Sequence, residues 1–241
     1  MRADGPNDPA PARMRIAAWS VHALTASGAV LGVLALWEVG RGGFAQASIW
    51  MLVAMSIDAF DGTLARRVGV SEVVPRIDGR RLDDIVDFLT FAIVPIVFLL
   101  AGGFIHWSVA ALPALASAYG FAQVDAKTED DFFLGFPSYW NVLAIYLWLF
   151  DLSPLQSSAW VVGLSILVFV PLKYCYPSKL RRFRAPMVAG GTLWVWVLAF
   201  VIWFPEPAAR WHIAEASLVY PAAYIAVSAW LGEWWKPART V

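Results

Sequence analysis

The chain reads as an all-α integral membrane protein, a bundle of about eight transmembrane helices with both termini on the cytoplasmic side. Three observations lead there. Hydrophobic residues fill 60% of the 241 positions and charged residues only 15%, a balance that soluble globular domains do not have. Apolar runs near the ~20 residues needed to cross a bilayer recur along the whole length. The basic residues are divided very unevenly between alternate connecting segments, as the positive-inside rule requires of a polytopic protein.

The first fifteen residues, MRADGPNDPAPARMR, are rich in Pro, Ala and charge and read as a disordered tail. They have no short apolar core ending at a small-residue cleavage site, so they are not read as a signal peptide. The spans then follow in order: Ile16–Trp37, Phe44–Ala65, Leu82–Ala101, Phe104–Val124, Phe136–Phe150, Ser158–Lys173, Pro186–Phe204 and Ala214–Leu231. The fifth is the shortest and needs part of Phe132–Ser138 to reach across. Residues 16–235 thus form a single polytopic domain, and 236–241 a short C-terminal tail. Of the 18 Lys and Arg residues, only Arg41 and Arg210 fall in outer segments when the N-terminus is placed inside. That asymmetry requires an even number of spans.

Several conspicuous residues need no chemistry. Trp37, Trp50, Trp107, Trp203, Trp211, Trp234 and Trp235 fall near predicted helix ends, where interfacial belts place them. The single Cys175 has no cysteine to pair with. His22, His106 and His212 are far apart and read as packing or interface residues. The run Glu129-Asp130-Asp131 reads as a solvated loop. Topology accounts for the basic cluster Lys173, Lys179, Arg181, Arg182 and Arg184, which also suits anionic headgroups or a pyrophosphate. Gly28-x-x-x-Gly32 permits close helix packing, within the chain or between two chains of a homodimer.

The segment IDAFDGTLARRVGVSEVVPRIDGRRLDDIVDFL is different. Asp58 and Asp61 lie three apart at the cytoplasmic end of the second span, and Asp83 and Asp87 four apart at the start of the third. Each pair shares a helical face, whereas Asp84 turns about a hundred degrees away. A short loop joins the two helices, so they pack antiparallel with both pairs at one depth. Four carboxylates at the ends of apolar helices are costly unless a positive charge is held between them. An oxygen-rich site suits Mg²⁺ or Mn²⁺, and a metal pair suits displacement at phosphorus. Gly62 removes a side chain where a nucleotide approaches, Arg66 supplies a planar phosphate donor, and Gly79 opens the third helix, whose first amides favour a phosphate. A single Asp of this kind is more often a solvated cap; two pairs on consecutive helices are not.

Asp58, Asp61, Gly62, Ala65, Arg66, Gly79, Asp83 and Asp87 together resemble the signature of the CDP-alcohol phosphotransferases: Asp-x-x-Asp-Gly-x-x-Ala-Arg, a spacer, then Gly-x-x-x-Asp-x-x-x-Asp. The spacer Arg67–Asp78 is longer than in most members. In that respect the chain is similar to the bacterial phosphatidylcholine synthases, as it is in DGRRLDDIVDFLTF, in FFLGFPSYWN at Phe132–Asn141 and in LKYCYPS at Leu172–Ser178. The resemblance implies a multi-pass enzyme of the bacterial inner membrane, its active site facing the cytoplasm, that transfers the phosphatidyl group of CDP-diacylglycerol to choline and releases CMP. It also implies that Asp58, Asp61, Asp83 and Asp87 hold two metals, with Mn²⁺ favoured over Mg²⁺, and that Asp87 is also the general base. Gly62, Ala65, Arg66 and Gly79 would line the CDP pocket. Membrane lipid is the implied partner, and no nucleic acid is. A quaternary ammonium has no donor and is best held by aromatic faces, for which Tyr139, Trp140, Tyr146, Tyr174 and Tyr176 are candidates.

Two alternatives stand beside this reading. Another acceptor, such as serine, inositol phosphate or glycerol phosphate, would keep the motif; phosphorylated acceptors would need a dedicated basic pocket. A transporter would place its carboxylates at the midplane within internal repeats, whereas here they cluster at one face without a repeat.

Overall fold

The computed structural model describes residues 11–235 apart from 125, 127, 129 and 181. The first ten residues of the expected N-terminal tail, the tail 236–241, Lys127, Glu129 and Arg181 lie outside the described residues. The rest of the N-terminal segment is more ordered than expected, because helix α1 (Ala12–Gly40) starts directly after Pro11. It packs antiparallel on α2 (Phe44–Val68), which ends at Gly69 in the left-handed conformation (φ +66°), a backbone state that glycine adopts without strain. A short helix, α3 (Val70–Val73), follows.

The third long helix is continuous from Gly79 to Ala101 but not uniform. Its first part, α4 (Gly79–Asp87), is capped by Asp78, whose carboxylate accepts from the backbone N–H groups of Arg80 and Arg81. Residues Phe88–Ile93 then widen into a π-helix before α5 (Val94–Ala101). The widened turns lie just upstream of Pro95, which has no N–H to return to the preceding turn.

The second half of the chain contributes α6 (Trp107–Ala122), α7 (Trp140–Leu149), α8 (Pro154–Val168), α9 (Arg184–Trp203), α10 (Pro205–Arg210), α11 (Ile213–Ser217) and α12 (Val219–Leu231). Among the described residues five helices are long and apolar enough to cross a membrane: α1, α2, Gly79–Ala101, α9 and Ile213–Leu231. The other three expected spans are the shorter apolar helices α6, α7 and α8. Helix α7 is short because Pro137 keeps its predecessor out of the helical region and Ser138 has a positive φ of 54°. Helix α8 lies four residues ahead of its expected start. Ser153 forms a capping box with Gln156, and Pro154 takes the first helical position, where its missing N–H costs nothing.

The segment Phe132–Ser138 does not lengthen the fifth span, and the sixth span, helix α8, ends at Val168 rather than Lys173, because the residues beyond both are joined as strands. Strand β1 (Phe132–Leu134) pairs antiparallel with β2 (Lys173–Cys175), Phe133 opposite Tyr174. Next to this ribbon, Gly135 (φ +81°) passes so close to the Val168 carbonyl that a Cβ would not fit. Gly135 and Phe136 donate their N–H groups to Leu172 and Leu167 carbonyls. The acidic run is therefore not simply a solvated loop. Lys173 Nζ meets Asp130 Oδ2 at 2.6 Å and Lys179 Nζ meets Asp131 Oδ1 at 3.1 Å, so the acidic and basic segments clamp each other across the ribbon.

The main core gathers Met51, Phe98, Leu99, Trp140, Ile145 and Leu198, all essentially inaccessible. Large apolar side chains also cover the outside, among them Val30, Leu115, Trp160, Trp196 and Val219. That apolar exterior, with five spanning helices, makes this a multi-pass membrane protein. Gly28 and Gly32 are used within the chain: a Cβ at Gly28 would lie 2.5 Å from Val86 Cγ1, and one at Gly32 2.9 Å from Leu89.

Candidate active site

The antiparallel turn between α2 and α4 brings the two Asp-bearing faces together. Asp58, Asp83 and Asp87 each offer a carboxylate oxygen within 4.8 Å of the others, all three half-buried. Asp61, one turn along α2, is buried at 4% exposure and lines the same pocket with Thr25, Gly28, Ala54, Ile57, Val86 and Thr90. The pocket encloses about 210 Å³, open mouth included. Asp61 is held from a third helix, because the Thr25 hydroxyl donates to its Oδ2 at 2.6 Å. Asp84 does not join the group, as the helical spacing required.

The other motif residues lie outside the lining of this pocket. A Cβ on Gly62 would meet nothing closer than Arg66 Nη1 at 3.5 Å, so the space beside Asp61 is open. Arg66 is exposed, donates to Thr63 Oγ1 at 3.1 Å and lies within electrostatic reach of Asp61. Ala65 packs on the small cluster of Ala18, Val21, Val70 and Val74. Gly79 faces His22: a Cβ there would lie 3.3 Å from the imidazole Cε1. His22 is buried, and its Nε2 has no hydrogen-bond partner among the described residues.

The five candidate aromatics separate into two groups. Tyr139 and Tyr176 lie within electrostatic reach of Asp58. Burial pushes the Tyr176 phenol up to about 12, and the charges of Asp58, Asp83 and Asp87 add to this against Arg66. Its ring lies against Phe133 at 4.8 Å, and the Lys179 ammonium sits 5.0 Å above it. Trp140, Tyr146 and Tyr174 are engaged in packing instead. The Trp140 indole donates to Ser117 Oγ at 2.7 Å. The Tyr146 hydroxyl bonds Ser217 and accepts from Trp194. The Tyr174 ring packs on Trp234 at 4.9 Å.

Sequence reasoning missed Thr25. A single threonine on an apolar helix has no distinguishing pattern; only its place one turn before Gly28, on the small-residue face, hints that it looks toward α2 and α4.

The donor set fits a divalent cation. Three carboxylates bring one oxygen each within 4.8 Å of the others, and the ligands are all hard oxygens. The model of the CDP-alcohol phosphatidyltransferase family matches residues 20–172, which include Thr25 and every carboxylate of the site.

The chain belongs to the CDP-alcohol phosphatidyltransferase family.

The chain is also similar to proteins named phosphatidylcholine synthase. A phosphatidylcholine synthase of Legionella pneumophila subsp. pneumophila is 42% identical over 170 residues, covering 68% of this chain and 66% of that protein. One of Legionella bozemanae is 44% identical over 157 residues, 63% of this chain and 72% of its own. One of Pseudomonas aeruginosa is 32% identical over 227 residues, 89% of this chain and 94% of its own. This CDP-alcohol phosphatidyltransferase is thus similar in sequence to phosphatidylcholine synthases along most of its length, while the match to the first spans just under two thirds of that relative.

Proposed function

We propose that this CDP-alcohol phosphatidyltransferase makes phosphatidylcholine, moving the phosphatidyl group of CDP-diacylglycerol onto the choline hydroxyl and releasing CMP. The observation that carries the reading is the Asp58, Asp83 and Asp87 carboxylate group within electrostatic reach of Tyr176. The names of the similar proteins support the choice of acceptor. In the reaction the choline oxygen attacks the phosphorus bonded to diacylglycerol. Asp87 takes the hydroxyl proton, the new P–O bond forms, and the P–O bond of the pyrophosphate breaks with its electron pair leaving on CMP. General-base help of this kind is worth roughly 10²–10⁴-fold.

Asp58, Asp61, Asp83 and Asp87 would hold two divalent ions, Mn²⁺ or Mg²⁺, which when bound neutralise the pyrophosphate and the departing charge. Arg66 adds a fixed guanidinium for a phosphate oxygen, and the open space at Gly62 admits the nucleotide. Tyr139 and Tyr176 provide the aromatic faces for the trimethylammonium. The Tyr176 ring already carries the Lys179 ammonium over its face, the same class of contact. The concentration of Arg and Lys in alternate segments supports a site on the cytoplasmic side of the bacterial inner membrane.

The test is incorporation of labelled choline into chloroform-soluble lipid by membranes supplied with CDP-diacylglycerol and Mn²⁺, with serine, inositol and glycerol phosphate in parallel. Choline-dependent lipid and CMP, both lost in Asp87→Asn, are expected. CMP formed with another acceptor would move the protein to another branch of the family.

A further inference from the structure

Six hydroxyl groups on the helices of this protein share one kind of partner. Ser20, Ser48, Ser56, Thr90, Ser165 and Thr192 each donate to the carbonyl four residues back on their own helix, the usual resting place for such a group. Thr25 does not. Its hydroxyl crosses from α1 to α2 and donates to Asp61 Oδ2 at 2.6 Å, in a site where both residues are at least nine-tenths buried. The bond is short and involves an ionisable oxygen, which places it among the stronger side-chain hydrogen bonds. It also occupies one oxygen of a carboxylate that lines the pocket but stands outside the 4.8 Å group of Asp58, Asp83 and Asp87.

We propose that Thr25 is a positioning residue of the site: its hydroxyl fixes the rotamer of Asp61 so that the remaining oxygen, Oδ1, is presented as the fourth carboxylate of the cation-binding set. This deepens the proposed function and rests on its metal reading. The physical logic is that of ligands oriented by the groups behind them. A carboxylate on a helix face has two χ angles to lose, and a partner that removes them in advance strengthens the binding of the cation. One turn further along the same helix α1 approaches α4 through Gly28, where a Cβ would lie 2.5 Å from Val86. The close crossing and the hydroxyl are two uses of the same helix face.

The experiment is Mn²⁺ binding to the purified full chain in detergent, with unbound Mn²⁺ counted by electron paramagnetic resonance, alongside thermal unfolding. Thr25→Val, nearly equal in shape, is expected to weaken Mn²⁺ binding by about 10- to 100-fold; Thr25→Ser, which keeps the hydroxyl, is expected to bind within a few-fold of the parent. Should Thr25→Val fail to fold, the Asp61→Asn background with and without Thr25→Ala separates the roles, because a residue acting through Asp61 adds no further loss there. Equal Mn²⁺ affinity in Thr25→Val and the parent would overturn the inference and leave the proposed reaction standing. Equal losses in the Val and Ser variants would do the same, marking Thr25 as packing only. A parent protein that binds no Mn²⁺, Mg²⁺ or other divalent ion would remove the metal reading itself, and the inference with it.

Discussion

Gly28 of α1 lies directly against Val86 of α4, so closely that a Cβ on residue 28 would be 2.5 Å from the valine Cγ1. Val86 sits between Asp83 and Asp87 in sequence, so this contact sets how deeply the Asp-bearing helix seats against α1. Gly28→Val forces either Val86 or the helix to move. Overpacking of this kind costs about 1–3 kcal/mol, so the variant is expected to unfold at a lower temperature. It is also expected to release CMP more slowly than Gly40→Val, whose Cβ would meet nothing within 4 Å. Equal effects of the two substitutions would mean that the crossing does not govern the site.

Chelation should separate the carboxylates from the scaffold. With EDTA the protein is expected to lose CMP release while remaining folded, and Mn²⁺ or Mg²⁺ should restore it. Asp87→Asn is expected to lower turnover by at least about 10²-fold, the span of general-base help, and not to recover with added metal. The check is CMP formation over a metal titration, with helical content followed in parallel by circular dichroism.

Tyr176 and Tyr139 are expected to affect the acceptor rather than the liponucleotide. A cation–π contact is worth roughly 0.5–2 kcal/mol, so Tyr176→Ala should raise the choline KM by about 2- to 30-fold with little change in the KM for CDP-diacylglycerol. Tyr146→Phe, which removes a hydroxyl bonded to Ser217 and Trp194, should act on stability and spare the choline KM. A choline KM unchanged in both Tyr139→Ala and Tyr176→Ala would eliminate the proposed cage.

The ribbon clamp is expected to be weak and to depend on pH in one direction. Both Lys173–Asp130 and Lys179–Asp131 are more than a third exposed, so each should contribute no more than about 1 kcal/mol, as a double-mutant cycle would measure. Partial burial tends to raise the Asp130 pKa, but the hydrogen bond from Lys173 and that from Thr128 outweigh it and hold the carboxyl below its ordinary value. A depressed folded-state pKa means that the stabilisation is present above the unfolded value, about 3.9, and is lost as pH falls through the lower folded one. Thermal unfolding of Lys173→Ala and of the parent should therefore converge in acid and differ near neutrality.

Much of this structure was legible from local pattern, and the misses share a cause. All eight apolar stretches correspond to helices, and Asp58, Asp83 and Asp87 meet as the helical spacing suggests, with Asp61 lining the same pocket but outside their group. The boundaries of α8 were also readable, in Ser153-Pro154-x-Gln156, but apolar counting passes over cap residues. The β1–β2 ribbon was not readable, because three-residue strands have no alternation to detect and their partners lie about forty residues apart. The same distance hid the pairing of Asp130 with Lys173, which turned an apparently solvated acidic run into a clamp. Thr25 was hidden for a different reason. Its importance lies in declining the ordinary bond to its own helix, and sequence shows that a hydroxyl is present, not where it points.

The π-helical turns at Phe88–Ile93 divide the third spanning helix into two instruments with separate tuning. A regular helix would transmit any rotation at Leu99 straight down to Asp83, and the packing of Phe98 against Phe44 and Trp148 would dictate where the carboxylates aim. A widened turn takes up that phase error, since one added or lost residue there alters the twist without breaking the rod. The greasy half can thus be remodelled for a different bilayer while the acidic half keeps its bearing on α1.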